Sequence, residues 1–447
     1  MDYPLPKNEV VIPQRHFDQT GAVKRRCKTR GMIFAVLLMS GIVALFGTAV
    51  LFWIYGDSSG KGDTPPTPAS LLSPSSNQIP AASCGKRIMS DQRGWEAPVE
   101  ERQLKKLTHL VFAFVNLNSH GDISLSSNQM RASLLDMKAK GRAVNRDMKM
   151  MVAIGGAGGS SHFSSVIADE KKRRNFIKSI SSFLVIHQID GIDIYWIWPE
   201  GKDSDNIVRF MRELRTRLTS LEKSENRKDP YIISMIIPRK PSLLESLTKL
   251  DEVLEYADFL NALTFDYFGP AWYPETGPVS PLFSGTKGNE KCNVDFTMKH
   301  LTCETKKPSQ LNMAVEFVGR YWKNVKGSIE GDDDMWRIAE PVNGSIQGET
   351  FSWKTLESGG YFDKTSAVWH EASKSSYIWM PDQEMLVTFE GERSLMEKMN
   401  YAKAKNFGGI IIWTVGSDDD EDTLLNLVSG YRLCTDEENK DRVNYEC

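Results

Sequence analysis

Short apolar runs alternate with amphipathic stretches along most of this chain, and that alternation limits its fold more than any other feature. The runs are residues 86–90, 108–115, 149–154, 191–197, 231–237, 259–265, 311–317 and 409–415. Runs that are apolar nearly throughout suit strands covered on both faces, as in parallel sheets. Between them, residues 102–106, 128–140, 171–186, 206–223, 242–256 and 394–405 have helical spacing. Eight strand–helix units within roughly 350 residues predict an α/β fold, a (β/α)8 TIM barrel, with a doubly wound open sheet as the alternative. Residues 322–391 are too long and too aromatic for a simple loop. Strand-like patches at 366–370 and 377–380 predict a small α+β insertion there, after strand 7.

The N-terminal part obeys different physics. Residues 31–55, GMIFAVLLMSGIVALFGTAVLFWIY, carry no charge, and about 20 apolar residues span a bilayer. The run is longer than the apolar core of a cleavable signal, and it ends in Phe52, Trp53 and Tyr55, which suit an interfacial belt. Lys24, Arg25, Arg26, Lys28 and Arg30 precede it. The positive-inside rule then predicts a single-pass type II anchor. Residues 1–30 form the cytoplasmic tail, and everything after the span is lumenal or extracellular. Residues 56–83, rich in Pro and Ser, read as a stalk. The folded domain is expected over 84–434, with 435–447 as a C-terminal tail.

Five cysteines, Cys84, Cys292, Cys303, Cys434 and Cys447, would then face an oxidising compartment. Cys292 and Cys303 are close enough in sequence for a local bridge, but spacing leaves the connectivity open. Asn343-Gly344-Ser345 is a glycosylation sequon on the predicted outer side. The formal charge of −3 gives no electrostatic reason to expect nucleic acid.

The fourth run reads IDGIDIYWIWPE over 189–200. Two acids in an otherwise apolar strand are costly unless they are paired or in use. Strand alternation puts Gly191, Asp193, Tyr195 and Ile197 on the face pointing into a barrel, and Ile192, Ile194, Trp196 and Trp198 on the face against helices. In TIM barrels chemistry sits where such strands end.

Here the chain resembles glycoside hydrolase family 18, the chitinases and chitinase-like lectins. DGIDIYWIWP resembles the family's fourth-strand DGxDxDWEYP. The likeness continues in CGKRI, LTHLVFAF, KMMVAIGG, LTFDYFGPAW with TGPVSPLF, EFVGRYW and GGIIIWTVGSDDD, in family order over most of 84–430. The resemblance implies a glutamic acid that protonates the leaving oxygen, and an aspartate two residues earlier that orients the substrate's N-acetyl group. Those positions are Ile197 and Tyr195 here. Isoleucine cannot donate a proton, and a general acid contributes about 10²–10⁴-fold. The resemblance therefore implies a pseudoenzyme with no catalytic residue. The seven histidines show no metal-ligand spacing, so no metal is expected, and no cofactor either. Glu200, the nearest other carboxylate, would have to act for hydrolysis to survive.

Other family positions have changed as well. Phe265, Val318 and Ala157 stand where the family has sugar-contacting aromatic or hydroxyl groups, and Asp91 and Gln92 fall near its first-strand tyrosines. By resemblance, the candidate ligand-binding residues are Asp193, Tyr195, Asp266, Tyr267, Trp272, Arg320 and Trp413. They would bind chitin or a related N-acetylglucosamine glycan. Plainer readings stay open: Asp190 and Asp193 as parts of a buried network, Trp413 as core, and Asp266 with Arg320 as an internal ion pair. A barrel that binds a protein partner, without glycan recognition, is the competing function. GGAGGS at 155–160 lacks the Lys-Ser/Thr ending of a phosphate loop. The acidic run 418–422 suits the N-terminus of a last helix.

Overall fold

The computed structural model describes residues 84–447, apart from 97, 287, 330, 332, 359–361 and 436–439. The apolar segment 31–55, its basic flank and the stalk lie outside the described residues. Among the described residues no helix is long and apolar enough to cross a membrane.

Seven barrel strands come first: β1 (Arg87–Arg93), β2 (His109–Leu117), β3 (Lys149–Gly155), β4 (Gly191–Tyr195), β5 (Ile232–Ile237), β6 (Phe259–Ala262) and β7 (Leu311–Glu316). An insertion sheet follows, made of β8 (Val318–Trp322), β9 (Gly348–Ser352), β10 (Val368–His370), β11 (Ser375–Met380) and β12 (Met385–Phe389). The eighth barrel strand is β13 (Gly409–Trp413). Each barrel strand pairs in parallel with the next, and β13 pairs with both β7 and β1, so the sheet closes. The main helices are α1 (Asn128–Val144), α2 (Glu170–His187), α3 (Ser204–Ser224), α4 (Val294–Thr305), α5 (Glu392–Ala404) and α6 (Thr423–Gly430). The TIM barrel is thus the observed fold, and the open sheet is excluded.

Capping chemistry sets several helix starts. Ser127 accepts from the Met130 N–H before α1, Asp169 from Lys172 before α2, and Asn293 from Phe296 before α4. The acidic run does cap α6: Asp418 accepts from the backbone of Leu424 and Leu425, and Asp419 from Thr423. Residues 242–256 do not form one helix. Two single turns, Pro241–Leu244 and Leu250–Val253, take their place, because Lys249 adopts a left-handed conformation between them.

The insertion sheet is antiparallel, in the order β9–β8–β12–β11–β10. It begins at Val318, directly after β7, so Arg320 belongs to the lobe and not to the barrel wall. Asn343 is exposed at a tight turn of this lobe, with φ 52°.

The disulfides correct one expectation. Cys84 bridges Cys434 and Cys303 bridges Cys447, leaving Cys292 free. Cys292 lies just before α4 and Cys303 near its end. A helix rises ~1.5 Å per residue, which sets the two far beyond the ~7 Å Cα limit of a bridge. The second disulfide also means that the C-terminal residues do not trail away. The Tyr445 and Tyr401 hydroxyls are 2.5 Å apart, and Asn444 donates to the Ala404 carbonyl at 3.0 Å.

Candidate functional site

A polar ladder runs up the inside of the barrel. Arg87 Nε donates to Asn312 at 2.9 Å, Asn312 to Asn261 at 2.8 Å, and Asn261 to Asp193 Oδ1 at 3.0 Å. Ser234 donates to the same Asp193 oxygen at 2.5 Å. Asp193 Oδ2 and Asp91 Oδ1 have no hydrogen-bond partner among the described residues. Burial pushes the Asp193 carboxyl up to about 6. Burial first, and then the charge of Asp193, holds Asp91 well above the usual carboxylate range. Asp190 is elsewhere. It sits at the bottom of β4, accepts from the Met150 N–H and pairs with Arg227. Of the two acids that open the motif, only Asp193 belongs to the interior near the mouth.

Above this ladder the end of β4 is aromatic. The Tyr195 ring meets Phe114 edge-on at 4.9 Å and lies 6.0 Å from Trp413. Trp413 is 6.4 Å from Phe265, near parallel to it. Arg93 lies over Trp413 at 5.5 Å and over Trp95 at 5.9 Å. Burial, and then the nearby carboxylates, keep the Tyr195 phenol neutral well above its ordinary range. The strand stops at Tyr195, two residues before the expected end. Strand alternation therefore no longer governs Trp198, which packs with the interior cluster and not against helices. Trp196 does face outward, stacked on Phe163 at 5.3 Å.

The glycine-rich loop after β3 exists to let these strands meet. Gly155 and Gly156 both have positive φ, and a Cβ on Gly155 would lie 2.5 Å from the Tyr195 carbonyl oxygen. The Gly156 N–H donates to that oxygen at 2.8 Å, while Ser160 Oγ accepts from the Ile197 N–H at 2.9 Å. Glu200 sits outside this arrangement. It is exposed, pairs with Lys202 at 2.7 Å and caps the turn Gly201–Asp203.

Across the mouth, charge replaces aromatic packing. Arg320 makes two 3.0 Å hydrogen bonds to Glu316 and a third to Asp266. Burial opposes the Arg320 charge, yet Glu316 and Asp266 more than offset it and hold the cation. Burial lifts Glu316 to about 7 despite Arg320. Nearby, Lys398 and Glu390 form a second buried pair at the end of the insertion. Trp272 is 41% exposed, with the Arg320 guanidinium 5.5 Å from its ring centre. Tyr267 does not join the mouth. Its ring is buried in the layer between sheet and helices, and its hydroxyl is 2.7 Å from Thr297 on α4. Alternation does not decide this, since β6 ends at Ala262 and the chain turns at Asp266, whose φ is 61°.

Comparison with known proteins decides the lineage. A profile of the glycosyl hydrolases family 18 matches residues 89–418. The chain belongs to that family. It is 26% identical to the probable chitinase 2 of Drosophila melanogaster over 357 residues, covering 71% of this chain and 68% of the relative. It is 24% identical to chitotriosidase-1 of Mus musculus, over 71% and 68% of the two chains. The fold is also that of human YKL-39, whose structure is described as a pseudo-chitinase with retained chitooligosaccharide binding properties. That match has a TM-score of 0.66 at 18% identity and covers 77% of this chain and 98% of that one. An Ostrinia furnacalis Group IV chitinase bound to allosamidin matches at 0.65 and 21%, over 77% and 97%. The fold is thus shared by proteins described as chitinases and by a described pseudo-chitinase, and local chemistry must separate them.

The mouth brings together Asp193, Tyr195 and Trp413 on one side, and Asp266, Trp272 and Arg320 on the other. Sequence reasoning missed Asp91, Glu316, Phe114 and Arg239 as parts of it. Glu316 ends β7 and could have been found by extending strand alternation. Phe114 and Arg239 carry no pattern signal, because the register of β2 shifts between Ala113 and Val115 and β5 has ended before Arg239.

Proposed function

We propose that this chain is a non-hydrolytic member of the family, anchored through residues 31–55 with its barrel lumenal or extracellular. It binds N-acetylglucosamine-containing glycans at the barrel mouth. One observation carries the reading: Ile197 and Tyr195 stand at the acid and supporting-aspartate positions, with the Tyr195 ring packed between Phe114 and Trp413. An alkyl side chain has no proton to give, and Glu200 is turned to solvent beside Lys202. Half-buried Trp413 and exposed Trp272 supply the aromatic faces on which sugars stack. YKL-39 is a precedent within the fold for binding without turnover.

A protein partner without glycan recognition is the second reading. The aromatic filling around Tyr195 favours it, because that packing occupies space a sugar would need. The full-length protein in detergent, incubated with chitotetraose, should release no product above a mock preparation. It should bind chitotetraose, and Trp413→Ala should weaken that binding. Product release would overturn the non-hydrolytic reading. Absence of any glycan binding would leave the protein-partner reading.

A further inference from the structure

The mouth holds a cation that a neutral chitin chain does not require. Arg239 follows β5 by two residues and is half-buried. Its Nε donates to the Asp266 carbonyl oxygen at 2.5 Å, which fixes the plane of the guanidinium. Its carbon lies 5.7 Å from the ring centre of Trp272. Among the described residues, Arg239 makes no ion pair, and neither terminal nitrogen donates a hydrogen bond. Arg320, by contrast, pairs with both Glu316 and Asp266. Asp266 Oδ1 is taken by Arg320, and Arg239 reaches only the Asp266 backbone carbonyl. The indole of Trp272 rests against Gly269, where a Cβ would meet it at 2.6 Å, so the platform is seated beside this cation.

A guanidinium held at Nε, with its Nη1/Nη2 edge open, suits the paired oxygens of a carboxylate or sulfate. An exposed indole next to it suits the apolar face of a sugar ring. We infer that Arg239 and Trp272 form a subsite for an acidic sugar, and that the glycan this barrel binds carries a carboxylate or a sulfate ester. The inference rests on the glycan reading above and names its substrate class.

The test uses full-length protein in detergent and three probes: chitotetraose, 6-O-sulfated chitotetraose, and an N-acetylglucosamine–glucuronate tetrasaccharide. At least one acidic probe should bind roughly tenfold or more tighter than chitotetraose at low salt, as one charge-assisted contact predicts. Which one does so separates sulfate from carboxylate. Arg239→Gln should bring the acidic-to-neutral ratio close to one, and Trp272→Ala should weaken acidic binding. Equal affinity for all three probes, or a ratio that survives Arg239→Gln, overturns the inference while the glycan reading stands. If no sugar binds, both fall. Arg239-dependent binding of a poly-glutamate peptide without sugar binding assigns the cation to an acidic protein segment and overturns the inference as well. A thermal unfolding scan of each variant shows whether a loss reflects binding or folding.

Discussion

The two sides of the barrel mouth are built in opposite ways. The end of β4 carries Tyr195 and Ile197, and the space is closed by Phe114, Trp413 and Phe265. At the ends of β6 and β7 charged groups face each other, with Arg320 of the insertion lobe pairing with Glu316 and Asp266 of the barrel. The difference follows from what each group is connected to. An acid that serves only a reaction can be replaced by apolar packing at little cost to folding. A buried ion pair that joins two structural units cannot lose one partner without stranding the other. The side that holds the lobe in place is the side that kept its charges.

Putting acids into the aromatic side should strain this contrast most. The double change Tyr195→Asp with Ile197→Glu removes a packed ring and adds acids beside Asp91 and Asp193. It should destabilise the protein by more than about 4 kcal/mol and restore no turnover. Urea unfolding and a chitooligosaccharide assay measure the two effects, and recovered hydrolysis would show that only the acids had been lost. Next, Arg320→Ala should cost about 3–5 kcal/mol at pH 8 by stranding Glu316 and Asp266. The loss should shrink at pH 5, where Glu316, already lifted to about 7, is protonated. A cost that does not change with pH would separate Glu316 from that network.

Asp193 gives a smaller and signed effect. Its folded pKa of about 6 lies above the unfolded value, so proton uptake favours the fold. That contribution is complete below about pH 4 and is lost as pH rises through about 6, an amount on the order of 3 kcal/mol. Asp193→Asn should flatten the unfolding free energy over that window relative to wild type. An unchanged profile would mean that the carboxyl titrates normally. The smallest change concerns Tyr267→Phe, which should cost about 1 kcal/mol through Thr297 and leave glycan binding untouched. Weakened binding would return Tyr267 to the mouth.

Much of the fold was readable because parallel barrel strands are apolar on both faces and stand out as runs. The observed strands begin within one residue of those runs and often end a little earlier or later. Helix starts matched where caps exist, as at Ser127 and Asp169, whereas the α4 helix was missed although Asn293 caps it. The 242–256 stretch misled, because its spacing is helical while Lys249 turns left-handed. In the site, the apolar Ile197 two residues after Tyr195 is plain in the order of residues. The packing of Phe114 against Tyr195 and the open edge of Arg239 are not.

Sequence alone determined the barrel and the family, and it put an isoleucine at 197, because periodicity and residue type are local properties of a chain. Tertiary structure decided the rest. It paired Cys303 with Cys447, turned Tyr267 away from the mouth, and set Arg239 on Trp272 without a partner. Each of these depends on distances between segments far apart in sequence, where strands have ended and alternation no longer says which way a side chain points.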